Sequence, residues 1–138
     1  MKRILVIALL VGSSGAIAQS KSDTIVTAGK GAYVRSSGEY ITADGEKFKK
    51  GNLVQAGPAT GSNGSYKFMF TGAFLTGAIP LSAAWEGSRF KIKEIRLDGT
   101  KEYGYTVVFK LANDKYGRYL CTVDGALKSG ELQALKSN

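Results

Sequence analysis

From Thr24 onward turn signals punctuate the chain, at spacings of up to about twelve residues as far as Gly64 and again at Asp98 and Asn113, and no other feature limits the fold as much. The signals are Gly29-Lys30-Gly31, Ser37-Gly38, Asp44-Gly45, Gly57-Pro58, Gly61–Gly64, Asp98-Gly99 and Asn113-Asp114. Glycine enters left-handed backbone without steric cost, proline presets its φ, and Asn, Asp and Ser bond their own backbone, so each cluster reverses a chain. The segments between them are rich in Val, Ile, Thr, Tyr and Phe, which suit a pleated, half-buried surface. No apolar period of 3.6 runs long enough to compete. The expected fold is therefore one all-β domain, a small antiparallel barrel or sandwich of about seven to eight short strands, with a short C-terminal helical turn.

The last third carries the clearest pattern. Arg89–Leu97, Tyr103–Leu111 and Tyr116–Val123 read as a three-stranded meander turning at Asp98-Gly99 and Asn113-Asp114. Alternation puts Tyr105, Val107, Phe109 and Leu111 on one face of the middle strand, and Tyr119, Cys121 and Val123 on one face of the last. The first strand changes phase, because Phe90 and Ile92 cannot share a face with Ile95 and Leu97 in a regular strand. A β-bulge near Lys93-Glu94 restores both pairs to the core and aligns Arg89, Lys91 and Arg96 outside. The charge-free run Phe68–Trp85 reads as a core strand followed by an apolar crossover loop, since Gly72, Gly77 and Pro80 interrupt it. Asp124 is placed to cap a helical turn ended by Gly130, with Glu131–Leu135 continuing as a second turn.

The N-terminus is read as an export signal. Met1-Lys2-Arg3 is basic, Ile4–Val11 is apolar, and Ala16-Ile17-Ala18 before Gln19 has the A-x-A form of a cleavage site. That apolar core falls short of the roughly 20 residues a membrane span needs. The organisation expected is a signal peptide over 1–18 and a single β-rich domain over 19–138, working in the periplasm or outside the cell. Without Lys2 and Arg3 the domain keeps 17 Lys and Arg against 11 Asp and Glu, a net +6. The single cysteine, Cys121, excludes an intrachain disulfide, and its place among core positions makes it a buried small hydrophobe.

Composition removes most chemistry. The chain has no histidine, so imidazole triads and imidazole-bearing zinc sites are excluded. Ser88-Arg89-Phe90-Lys91 has the S-x-x-K spacing of penicillin-recognising enzymes, but on a strand positions i and i+3 face opposite ways. Glu94, Asp98 and Glu102 group at a hairpin without a cleft to raise a pKa. No catalytic residue, metal site or cofactor is assigned. Asn63-Gly64-Ser65 is a glycosylation sequon on a loop.

Two surface features remain. The basic residues Arg89, Lys91 and Arg96, joined by Lys47, Lys49 and Lys50, can engage phosphate or carboxylate groups. The plainer explanation, which comes first, is that edge strands carry lysine to deter aggregation. Among the aromatics Tyr33, Tyr40, Trp85, Tyr103 and Tyr105, exposed members can stack on sugars or anchor a partner. Tyr103 and Tyr105 join the candidate binding set, while Trp85 is expected in the core. The functional expectation is a non-enzymatic binding or envelope-associated module whose partner is an anionic glycan, a lipid headgroup or a protein. Nucleic acid is not an expected partner of an exported chain. The alternatives are a hydrolase inhibitor presenting the Ala56–Ser65 loop, and a small histidine-free hydrolase.

Overall fold

The computed structural model describes residues 25–72, 77–114 and 118–135. The proposed export segment, with Ala16, Ala18 and Gln19, lies outside the described residues. So do Tyr116, positions 73–76 of the apolar run and the tail from 136 to 138.

The fold is all-β, with two antiparallel sheets and one short helix. A four-stranded meander is formed by β1 (Ile25–Ala28), β2 (Gly31–Val34), β3 (Glu39–Ile41) and β4 (Lys47–Phe48). The second sheet curls into a half-barrel from β5 (Leu53–Ala56), β6 (Ser65–Thr71), β7 (Ile79–Ser82), β8 (Arg89–Thr100), β9 (Gly104–Ala112), β10 (Tyr119–Thr122) and β11 (Leu132–Ala134). Its order is β11-β5-β8-β9-β10-β6-β7. Helix α1 (Val123–Ser129) joins β10 to β11.

The described residues hold eleven strands where about seven to eight were expected. The excess comes from strands too short to show a period and from two segments read as something else. Ile79–Ser82 is a strand, not a loop, with Leu81 buried. Pro80 is tolerated there because β7 is an edge of its sheet, where a missing N–H breaks no second ladder. Glu131–Leu135 forms no second helical turn. Gly130 ends α1 in left-handed backbone at φ 86°, and the reversed chain pairs β11 with β5, Leu132 opposite Ala56.

The meander appears as expected, including the bulge, except that β10 ends at Thr122 and Val123, expected on its core face, opens α1. Ile92 pairs with Leu111 and Glu94 with Lys110, so Lys93 is the extra residue and Phe90, Ile92 and Ile95 are all buried. The first turn lies further on than Asp98-Gly99. Those two residues belong to β8, opposite Thr106 and Tyr105, and the chain reverses over 101–103. Gly99 sits so near the facing strand, at φ 111°, that a methyl there would fall 2.3 Å from the Gly104 carbonyl oxygen. Backbone proximity therefore explains this glycine, not a turn.

The core joins the two sheets. Phe109 of β9 meets Tyr40 of β3 edge-on at 6.5 Å between ring centres and Phe48 of β4 at 5.4 Å. Trp85, expected in the core, is half-buried and packs against it, 5.8 Å from Phe90 and 5.0 Å from Tyr119. Cys121 is fully buried, and that burial pushes its thiol pKa up, so the inert protonated form is the one present at neutral pH.

Two tyrosine hydroxyls are also buried and bonded. Tyr66 donates to the Gly57 carbonyl at 2.5 Å, and Tyr40 donates to Asp124. Burial, reinforced by the charges of Glu86 and Glu131, pushes Tyr66 up to about 12 from its ordinary 10.0. Burial and then Asp124 push Tyr40 in the same direction. The folded chain thus holds protons that the unfolded chain releases. The associated stability is complete below about pH 10 and is lost as pH rises through about 12. Urea midpoints measured from pH 8 to 12 are expected to fall over that window, with a shallower fall in Tyr66→Phe. Equal slopes in the two proteins would overturn this.

Candidate functional site: a basic face on an interior strand

The β4–β5 turn builds the site by docking on β8. The Gly51 amide donates to the Ile92 carbonyl at 2.8 Å, the Ile92 amide returns a bond to the Asn52 carbonyl at 2.9 Å, and the Lys49 amide is held by Asn52 Oδ1 at 2.9 Å. Leu53 then pairs with Lys91 and Gln55 with Arg89. Phe90 and Ile92 point into the core, so Arg89 and Lys91 point outward, and all of Lys49, Lys50, Arg89, Lys91 and Lys93 are exposed. Alternate residues of a strand stand about 6.7 Å apart, which spaces the β8 cations along one line. The five cations therefore gather from two segments about forty residues apart, and Leu53, half exposed at 46%, is the apolar residue among them.

The described residues contain two ion pairs, and both lie at the far side of this group. Glu94 meets Lys110 at 3.3 Å, and Asp98 takes both Arg96 Nε at 3.0 Å and a second guanidinium nitrogen at 3.4 Å. Each partner is more than a third exposed, so the pairs add little stability. Their effect is to neutralise the outer face of β8 beyond Lys93. Arg96, expected within the basic set, is thereby taken out of it.

Other expected members separate as well. Lys47 is exposed on β4, an edge of the small sheet, where edge protection is a sufficient role. Tyr103 is 86% exposed but sits at the β8–β9 hairpin tip, roughly 30 Å along the strand from Lys91. Tyr105 packs against the core, and its carbonyl accepts the Gly29 amide at 3.0 Å. The basic and aromatic candidates thus form no single site. Lys93, which the bulge turns outward, joins the set instead.

Two carboxylates have structural roles that sequence reading missed. Glu131 is fully buried, and its carboxylate accepts four donors: the Thr60 hydroxyl at 2.7 Å, the Thr60 amide at 3.2 Å, the Lys67 amide at 2.7 Å and the Phe68 amide at 3.0 Å. Adjacent amides of a regular strand point to opposite sides, so two aimed at one carboxylate mark a bulge in β6. That bulge explains why Tyr66 and Met69, three apart, are both buried, where unbroken alternation would put them on opposite faces. Asp124 was expected to cap α1, yet it makes no cap bond. It accepts the Lys30 amide at 3.1 Å and the Tyr40 hydroxyl, fastening the small sheet to the helix.

Of the carboxylates expected at the hairpin, Glu94 and Asp98 form the surface pairs just described on β8, and Glu102 lies exposed in the 101–103 turn. Among the described residues no His, Cys, Asp and Glu group is arranged to hold a metal ion, and no helix is long and apolar enough to cross a membrane. Compared with known proteins, the chain matches no family model, no curated protein and no solved structure.

Proposed function

We propose that the chain is an exported, non-enzymatic binding module whose face of Lys49, Lys50, Arg89, Lys91 and Lys93 docks an anionic partner of the cell envelope. The observation that carries this reading is the position of β8. Over Arg89–Lys91 it has β5 on one side and β9 on the other, so lysine placed to blunt a free edge does not explain the cations at these two positions, which Lys93 extends past the end of β5. Within the described residues those cations also have no carboxylate in ion-pair range. Like charges brought together without counter-charges cost stability, and an anionic partner would offset that cost. The basic start, apolar run and A-x-A pattern of the first eighteen residues support the export part of the reading.

The test is retention of the domain on an anionic glycan column. The triple variant Lys49→Glu, Lys91→Glu, Lys93→Glu is expected to elute at clearly lower salt than the parent. An Arg35→Glu, Lys101→Glu, Lys128→Glu control of the same net charge, at exposed positions elsewhere, should elute near the parent. Equal losses in the two variants would reduce the effect to net charge and end the proposal.

One observation favours the inhibitor reading as a second choice. The Ala56–Ser65 loop is held at its base by the Gly57 amide on the Glu131 carbonyl at 2.8 Å, and at its middle by Thr60 on the same residue's carboxylate. A loop fixed in this way loses little entropy on entering a partner's cleft.

A further inference from the structure

We infer that the ligand of this face is a linear phosphodiester polymer lying lengthwise along β8. The inference rests on the anionic docking proposed above and names its chemical class. The face is an open pleated surface, and its five cations are exposed rather than gathered around a buried polar group. A single exposed charge contact is screened by salt and worth little. A small anion that meets one or two of these side chains gains too little to stay bound. A chain that meets several in register adds the contacts while losing its translational freedom once.

The spacing and the side chains narrow the polymer. Arg89 and Lys91 are about 6.7 Å apart along the strand, Lys93 follows at the bulge, and Lys49 and Lys50 flank the line from the β4–β5 turn, which bonds β8 at Ile92. A three-carbon polyol phosphate has six bonds between phosphorus atoms and repeats at about 7 Å when extended. Four of the five cations are lysines, which meet phosphate as point charges and need no planar, bidentate acceptor. The other guanidinium on this face, Arg96, is already held by Asp98.

The same face is poorly made for a bilayer or for bases. Surface attachment to a membrane needs apolar area as well as charge, and here that amounts to the half-exposed Leu53. Base stacking needs aromatic side chains beside the cations, and Tyr103 lies at the opposite end of the hairpin.

The experiment measures binding of the domain to four probes. They are a glycerol phosphate oligomer, a galacturonate oligomer of equal charge, inorganic phosphate, and phosphatidylcholine vesicles containing phosphatidylglycerol. The glycerol phosphate oligomer is expected to bind at least tenfold more tightly than any of the others. Its log affinity should fall with log salt at a slope of about three to four for five contacts. Lys91→Ala and Lys93→Ala should each lower that slope by about one. Arg35→Ala and Lys128→Ala, at exposed sites elsewhere, should leave it unchanged. Equal or tighter binding of the galacturonate or the vesicles, or a slope insensitive to Lys91 and Lys93, overturns the phosphodiester assignment while anionic docking stands. No retention on the anionic column and no binding to any probe ends both.

Discussion

Glu131→Ala is expected to lower folding stability by about 3–5 kcal/mol. The variant leaves the amides of Thr60, Lys67 and Phe68 and the Thr60 hydroxyl without the acceptor that now serves them all. Burying an unpaired donor costs on the order of 1–3 kcal/mol, partly relieved if water enters the space. Glu131→Gln should recover only a small part. It keeps one acceptor oxygen but turns an NH2 group, itself a donor, toward donors. Thr60→Val should cost about 1 kcal/mol, since it removes the hydroxyl and keeps the amide bond. Urea titration gives the magnitudes, and hydrogen exchange at Thr60, Lys67 and Phe68 reports the place. A loss in Glu131→Ala below 1 kcal/mol, with those amides still protected, would refute the role. The reason for so large an effect is topological. Around residues 67–68 the ladder between β6 and β7 is interrupted, and the carboxylate stands where a neighbouring strand would otherwise accept.

Phe109→Ala is expected to cost about 3–5 kcal/mol and to free the small sheet first. Phe109 is fully buried, and its ring bridges β9 to Tyr40 and Phe48 of the other sheet. Truncation removes the transfer energy of a phenyl ring and leaves a cavity between two sheets that are otherwise joined mainly at their margins. Those marginal ties are the Gly29 amide on Tyr105, the Gly51 amide on Ile92 and the Asp124 bonds to Lys30 and Tyr40. Strands of two to four residues cannot persist alone, so their amides should exchange faster than those of β8 and β9 well below the global midpoint. Uniform loss of protection through both sheets would instead show that they unfold as one unit.

Much of the fold was legible because turn chemistry and side-chain alternation are local. The meander of β8, β9 and β10, the core face holding Phe109 and Cys121, and the bulge at Lys93 all follow from residues within about ten positions of one another. Where local signals failed, the deciding contact was distant. Gly99 looks like a turn residue, but its glycine answers the approach of Gly104 across the hairpin. Asp124 looks like a helix cap, but its oxygens go to a turn and a tyrosine more than eighty residues earlier. The phase break in β6 has its cause at Glu131, more than sixty residues away.

The candidate site divides along the same line. The sequence by itself determined that the chain is β-rich, lacks imidazole chemistry and disulfides, and carries Arg89 and Lys91 outward on one strand, because composition and a period of two need no partner to be read. Tertiary structure alone decided that β8 is an interior strand, that Lys49 and Lys50 come to its side, that Asp98 withdraws Arg96 and that Tyr103 stands apart. Each of those depends on which strand pairs with which. Backbone hydrogen bonds between strands are chemically the same whatever the side chains, so pairing order is set by how the whole core closes and not by any one segment.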